Sequence, residues 1–156
     1  MEKENYYDGK LKFEGEYING KRNGKGKEYY SNGKLIFEGE YLNGVRWNGK
    51  GKEYNILNGE LIFDGKYING KRNGKGKEYD SNSKLIFHGE YLNKERWNGK
   101  GKEYNIFDGE LIFEGEYLNG KRWNGSGKEF DHNTDIANYI FIEYLNGKKK
   151  ILKTKY

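Results

Sequence analysis

The chain has no cysteine and no proline among its 156 residues, and a single methionine. Without cysteine there is no disulfide framework, no thiolate zinc site and no cysteine nucleophile. Without proline, reversals of chain direction fall to Asn and Gly. No apolar run approaches the ~20 residues that a membrane-spanning helix needs. The opening Met1-Glu2-Lys3-Glu4-Asn5-Tyr6 lacks the apolar stretch of a secretory signal. A cytoplasmic location, or a peripheral one at a membrane, is therefore expected, and the lone Asn124-Gly125-Ser126 glycosylation pattern carries no weight. Hydrophobic residues are scarce too, at 33%, and the net charge is only +5. So small a net charge excludes a polyelectrolyte tail.

What the chain has instead is glycine and aromatic side chains. There are 24 Gly, 15 Tyr, 8 Phe and 3 Trp. Counted with glycine, the apolar share is that of an ordinary folded domain. These residues are organised as a repeat. Phe-x-Gly-x-Tyr-x-Asn begins at Phe13, Phe37, Phe63, Phe87 and Phe113, in steps of 24, 26, 24 and 26 residues. Asn-Gly-x-Gly-Lys-Glu begins at Asn23, Asn48, Asn73, Asn98 and Asn124. One domain is expected, with repeats near 10–33, 34–59, 60–83, 84–109 and 110–131 and a degenerate cap over 132–156. In the cap, Ile142 stands where the other copies have Gly. The long steps add Trp47 or Trp97 before Asn-Gly and lengthen the following turn, at Ile56-Leu57 and Ile106-Phe107. Because the two insertions arrive together, packing of each Trp against those apolar turn residues is expected.

Strand periodicity organises each copy. In Leu35-Ile36-Phe37-Glu38-Gly39-Glu40-Tyr41, the residues Leu35, Phe37, Gly39 and Tyr41 share one face, and Ile36, Glu38 and Glu40 the other. Asn43-Gly44 supplies a tight reversal. The return run Gly49-Lys50-Gly51-Lys52-Glu53-Tyr54 alternates in the same way. Short connections require antiparallel neighbours, because parallel strands need long crossovers. The expected fold is all-β: an elongated, twisted antiparallel meander of about six stacked β-hairpins. Its core is a stripe of Phe13, Tyr17, Phe37, Tyr41, Phe63, Tyr67, Phe87, Tyr91, Phe113 and Tyr117, with rings lying over Gly-x-Gly troughs. The opposite face carries Glu38 and Glu40 beside Lys50 and Lys52, as cross-strand charge ladders.

Catalytic chemistry finds no foothold in this pattern. His88 occupies a solvent-face slot that holds Glu14, Glu38, Asp64 or Glu114 in other copies. His132 lies in an irregular segment with Asp131 and Asp135, a loop reading rather than a metal site. Ser31, Ser81, Ser83 and Ser126 have no repeating His partner. The Gly-x-Gly pairs are followed by no helix, so they fail the context of a phosphate loop. No catalytic residue, metal, cofactor or small-molecule substrate is expected. One feature stands apart, a basic turn in every copy: Lys21-Arg22, Arg46, Lys71-Arg72, Arg96 and Lys121-Arg122, ending in Lys148-Lys149-Lys150. A meander places these turns along one edge, roughly 10 Å apart, as a candidate anion-binding edge. Nucleic acid is not expected, because the aromatic residues occupy core slots and are not displayed for stacking.

The string Phe37-Glu38-Gly39-Glu40-Tyr41-Leu42-Asn43-Gly44, followed by Asn48-Gly49-Lys50-Gly51, resembles the MORN repeat. The segment Tyr29-Tyr30-Ser31-Asn32-Gly33-Lys34-Leu35 is similar to the related repeat of the bacterial YwqK-like group of toxin–antitoxin components. The resemblance implies stacked hairpins in a scaffold, self-association or membrane-proximal module. The leading expectation is a non-catalytic scaffold that binds a protein partner through the aromatic face, or itself through open sheet ends. The alternatives are a peripheral module that binds anionic lipid through the basic edge, and an antitoxin or immunity protein.

Overall fold

The computed structural model describes residues 1–130 and 139–152. Its strands are β1 (Glu2–Asn5), β2 (Leu11–Ile18), β3 (Lys21–Tyr29), β4 (Leu35–Leu42), β5 (Val45–Tyr54), β6 (Leu61–Ile68) and β7 (Lys71–Tyr79). They continue as β8 (Leu85–Leu92), β9 (Glu95–Tyr104), β10 (Leu111–Leu118), β11 (Lys121–Phe130), β12 (Tyr139–Leu145) and β13 (Lys148–Leu152). Among the described residues there is no helix. All thirteen strands form one sheet in sequence order, and β13 does not pair back to β1. Every pairing is antiparallel. With strands ~4.8 Å apart, the sheet is about 58 Å across.

The turns along one edge are built by Asn followed by Gly. Asn43 and Gly44 have φ of 51° and 91°, the paired left-handed conformation that suits a right-handed hairpin. Each turn after the first, at Asn19-Gly20, is also tied to the preceding repeat. The Gly44 N–H donates to the Arg22 carbonyl at 2.8 Å, and the Asn43 N–H to the Asn23 side-chain oxygen at 3.1 Å. The same latch joins Asn69 to Asn48, Asn119 to Asn98 and Asn146 to Asn124, which accounts for the recurring Asn. One turn departs from the rule: Lys94, with φ of 82°, stands where the others have Gly. Lys94→Gly is expected to stabilise the chain by about 0.5–1 kcal/mol, the relief of a left-handed side chain less the entropy that Gly adds to the unfolded state. Urea denaturation checks it, and an unchanged midpoint rejects strain at this turn.

The 24- and 26-residue steps have their explanation in strand register. Pairing across the strands runs from Gly15 to Gly26, Gly39 and Gly49. The next partner is Tyr67, two residues past the equivalent Gly65. From Gly65 the row passes through Gly76, Gly89 and Gly99 and again reaches a tyrosine, Tyr117. The step arises in the Trp-bearing strand: β5 presents Gly49 to Gly39 on one side and Gly51 to Gly65 on the other. β3, which lacks Trp, presents Gly26 to both neighbours. The expected packing of Trp47 and Trp97 on the lengthened turns is thereby corrected. Each Trp lies at the start of its strand, against the next Asn-Gly turn, at Gly70 for Trp47 and Gly120 for Trp97. The lengthened turns lie at the opposite edge, and Ile56 and Leu57 there are 95% and 91% exposed.

The core occupies one face of this single layer. Phe13, Phe37, Phe63, Phe87 and Phe113 are at most 1% exposed, and Tyr41, Tyr67, Tyr91 and Tyr117 are also buried. Each Phe meets tyrosines edge to face, at centroid distances from 4.9 to 5.9 Å. Such pairs add to the area they bury. At the C-terminal end Ile142, 1% exposed, pairs with Gly127 and Ile151 and replaces glycine with an apolar plug.

Candidate functional site

A one-layer sheet would leave its aromatic face wet, so something must cover the rings. The five arginines of the basic turns do so. Their guanidinium carbons lie over Phe rings: Arg22 over Phe13 at 4.1 Å, Arg46 over Phe37 at 5.2 Å and Arg72 over Phe63 at 4.2 Å. Arg96 covers Phe87 at 4.9 Å and Arg122 covers Phe113 at 4.7 Å. Each is held by a carboxylate from the neighbouring hairpin. Arg72 donates to Glu53 through Nε at 2.9 Å and Nη2 at 2.5 Å, and Arg122 grips Glu103 in the same bidentate way. Arg46 donates to Glu28 at 2.8 Å and Arg96 to Glu78 at 2.9 Å. Arg22 bridges Glu4 and Glu28. The buried tyrosines complete the rungs, Tyr91 donating to Glu78 at 2.9 Å and Tyr41 to Glu28 at 3.1 Å. Tyr17, Tyr67 and Tyr117 donate likewise to Glu4, Glu53 and Glu103.

The candidate edge residues thus separate into two groups. Arg22, Arg46, Arg72, Arg96 and Arg122 are half-buried members of this Phe–Tyr–Glu–Arg ladder. Lys21, Lys71 and Lys121 remain exposed at the turns. The sequence reading missed the glutamates. Their signal was present: Glu28, Glu53, Glu78, Glu103 and Glu129 each close a Gly-Lys-Glu or Gly-x-Glu run. They share strand parity with the glycines, hence the aromatic face. Glu53 pairs directly with Phe63, and Glu78 flanks Phe63 on its other side.

The ladder is a half-buried charged layer over the aromatic core and responds to pH at both ends. Burial pushes the Glu53 carboxyl up, but the Arg72 and Tyr67 hydrogen bonds and the nearby arginine charges hold it below its ordinary value. Glu103 and Glu28 behave alike. Hydrogen bonding to Arg22 holds Glu4 down at about 2. Carboxylates lowered by folding stabilise the fold above their unfolded pKa, about 4.3, and lose that contribution as pH falls through their folded values. For Tyr41, Tyr67, Tyr91 and Tyr117, burial first and the adjacent glutamate second push the phenol up. That contribution is full below pH about 10 and is lost above it. Thermal melts are therefore expected to show a plateau of Tm, falling below pH about 4.3 and again above pH about 10. A Tm flat from pH 7 to pH 2 would remove the ladder from the stability of the fold.

The opposite face carries the lysine–carboxylate ladder. Lys27–Glu38 and Lys100–Glu116 are both 3.3 Å, Lys102–Glu114 is 2.9 Å and Lys52–Asp64 is 3.7 Å. His88 is exposed on this face. His132, Asp131 and Asp135 lie outside the described residues. Among the described residues no cluster of His, Asp and Glu could hold a metal ion. Ser31, Ser81 and Ser83 lie in turns and Ser126 lies in β11.

Stacked two-stranded units, the Gly troughs and the Asn-Gly turns describe a hairpin-repeat module. The MORN repeat family model matches residues 13–34, 63–84 and 113–129. The matches recur at the 50-residue period and begin at Phe13, Phe63 and Phe113. The chain is therefore similar to the MORN repeat at those three positions, a match consistent with a repeat scaffold or binding module. No curated protein matches the chain.

Proposed function

We propose that the protein is a non-catalytic scaffold that binds another protein. The observation that carries this reading is how the sheet uses its two faces. The aromatic face is closed by its own arginines and glutamates, so its rings serve stability. The other face, about 58 Å long, carries the lysine–carboxylate ladder, and among the described residues no second layer lies against it. A broad, preformed surface of that kind suits recognition of an extended partner, as in other repeat architectures. No reacting constellation contributes to this reading, and the protein acts by holding a partner in place.

The test is affinity capture with the folded chain as bait and the heat-denatured chain as the unfolded comparison. A protein retained in stoichiometric amount by the folded bait alone is the expected result. A folded bait that retains nothing beyond the unfolded one overturns the scaffold reading.

A further inference from the structure

The polar ladder fails at its centre. In the slot of Glu16, Glu40, Glu90 and Glu116, the third copy has Lys66. In the slot of Glu14, Glu38, Asp64 and Glu114, the fourth copy has His88. Both departures remove acid from the lining of one groove. Lys66 now stands directly across from Lys50, and His88 across from both Lys77 and Lys100. Like charges directly opposite on a sheet are destabilising. Among the described residues Lys50, Lys66, Lys75 and Lys77 form no salt bridge, whereas Lys27, Lys52, Lys100 and Lys102 on the same face each have one. All four unpaired lysines and His88 are exposed.

These residues line one groove of about 870 Å³, floored by the backbone of Gly65, Gly76 and Gly89. Its acids are already engaged: Asp64 with Lys52 at 3.7 Å and Glu90 with the Asn98 amide at 3.0 Å. The groove crosses from β5 to β8, about 14 Å of positive surface. One phosphate-sized ion cannot reach from Lys50 to His88, whereas about four residues of extended chain span that distance. The cost of the crowded lysines in the free protein is returned when carboxylates settle among them.

We propose that this groove binds an acidic segment of a partner polypeptide, laid across β5 to β8. The inference rests on the scaffold reading and names the chemistry of its partner. The probe is a fluorescently labelled hexaglutamate peptide, titrated by anisotropy at about 20 mM and about 500 mM salt. The double variant Lys66→Glu/His88→Glu restores the residues of the sister repeats. A control of equal charge change, Lys21→Glu/Lys121→Gln, alters only the turn edge. Binding is expected at low salt and not at high salt. The groove variant is expected to weaken it by about tenfold or more, with a Tm equal to or above the parent, while the control binds like the parent. Three outcomes overturn the proposal: no binding by the parent at low salt, equal loss in the control, or tripolyphosphate binding in the groove more tightly than the peptide. A partner captured equally by parent and groove variant also overturns it and leaves the scaffold reading standing. Failure to capture any partner overturns the scaffold reading alone, because the titration needs no natural partner.

Discussion

Gly65→Val is expected to destabilise the chain by about 3 kcal/mol or more. A Cβ at Gly65 would lie 2.6 Å from the Phe63 ring, 2.8 Å from the Gly76 Cα and 3.0 Å from the Lys75 carbonyl oxygen. Two of these three neighbours are backbone in the adjacent strand, so relief requires the sheet to part. The ring cannot move out either, because Arg72 lies over it at 4.2 Å. Gly44→Ala makes the comparison. Nothing lies within 4 Å of a Cβ there, and only the φ of 91° opposes it. Its cost is about 1–2 kcal/mol. Urea denaturation of the three proteins decides the matter, and similar midpoints for both variants would show that no ring lies over Gly65.

The triple change Arg46→Gln, Arg72→Gln and Arg96→Gln is expected to lower stability by about 1–2 kcal/mol per site, after allowing for half-exposed pairs. Each removal uncovers a Phe ring; Glu53 and Glu78 lose their arginine, and Glu28 keeps only Arg22. Glutamine keeps a donor but loses the charge and the planar fork. Calorimetry should therefore show a clear drop in Tm. Sedimentation with anionic vesicles is the companion measurement. An unchanged Tm with loss of salt-sensitive vesicle binding would return these arginines to a lipid-facing role. Such a result would also contradict their position over the rings.

Strand parity made much of the fold legible. Phe37, Gly39 and Tyr41 fall on one face of any extended chain, and Asn43-Gly44 can do little but turn. The meander and the aromatic stripe follow from those facts alone. Register was not legible, because it depends on how many residues each bulge absorbs. Tyr41 pairs with Arg46 across a bulge that takes up Trp47, whereas Tyr17 pairs with Arg22 across a wider one that takes up Gly24. Identical Gly-x-Gly strings thus pair through different glycines. The arginines were misplaced for a related reason. Turn proximity put them at an edge, but pairing with Tyr17, Tyr41 and Tyr67 fixes their parity on the ring side. Lys66 and His88 were visible as departures from the repeat. That they line one groove, and that the lysines around them are left without salt bridges, required the folded sheet.

The two-residue slip at each Trp-bearing strand has a consequence for any long partner. Two residues are about 6.8 Å along a strand, and four strands are about 19 Å across the sheet. Equivalent side chains of successive 50-residue units therefore fall on a diagonal, inclined by about 20° to the perpendicular of the strands. A partner crossing the polar face squarely would follow the row of Glu14 and Glu38 on one unit and reach the next slot along, at Lys66, on the following one. A partner that follows the diagonal meets the same chemistry each time. The sheet thus favours one line of approach and disfavours its mirror image, a handedness set by where the tryptophans fall in the chain.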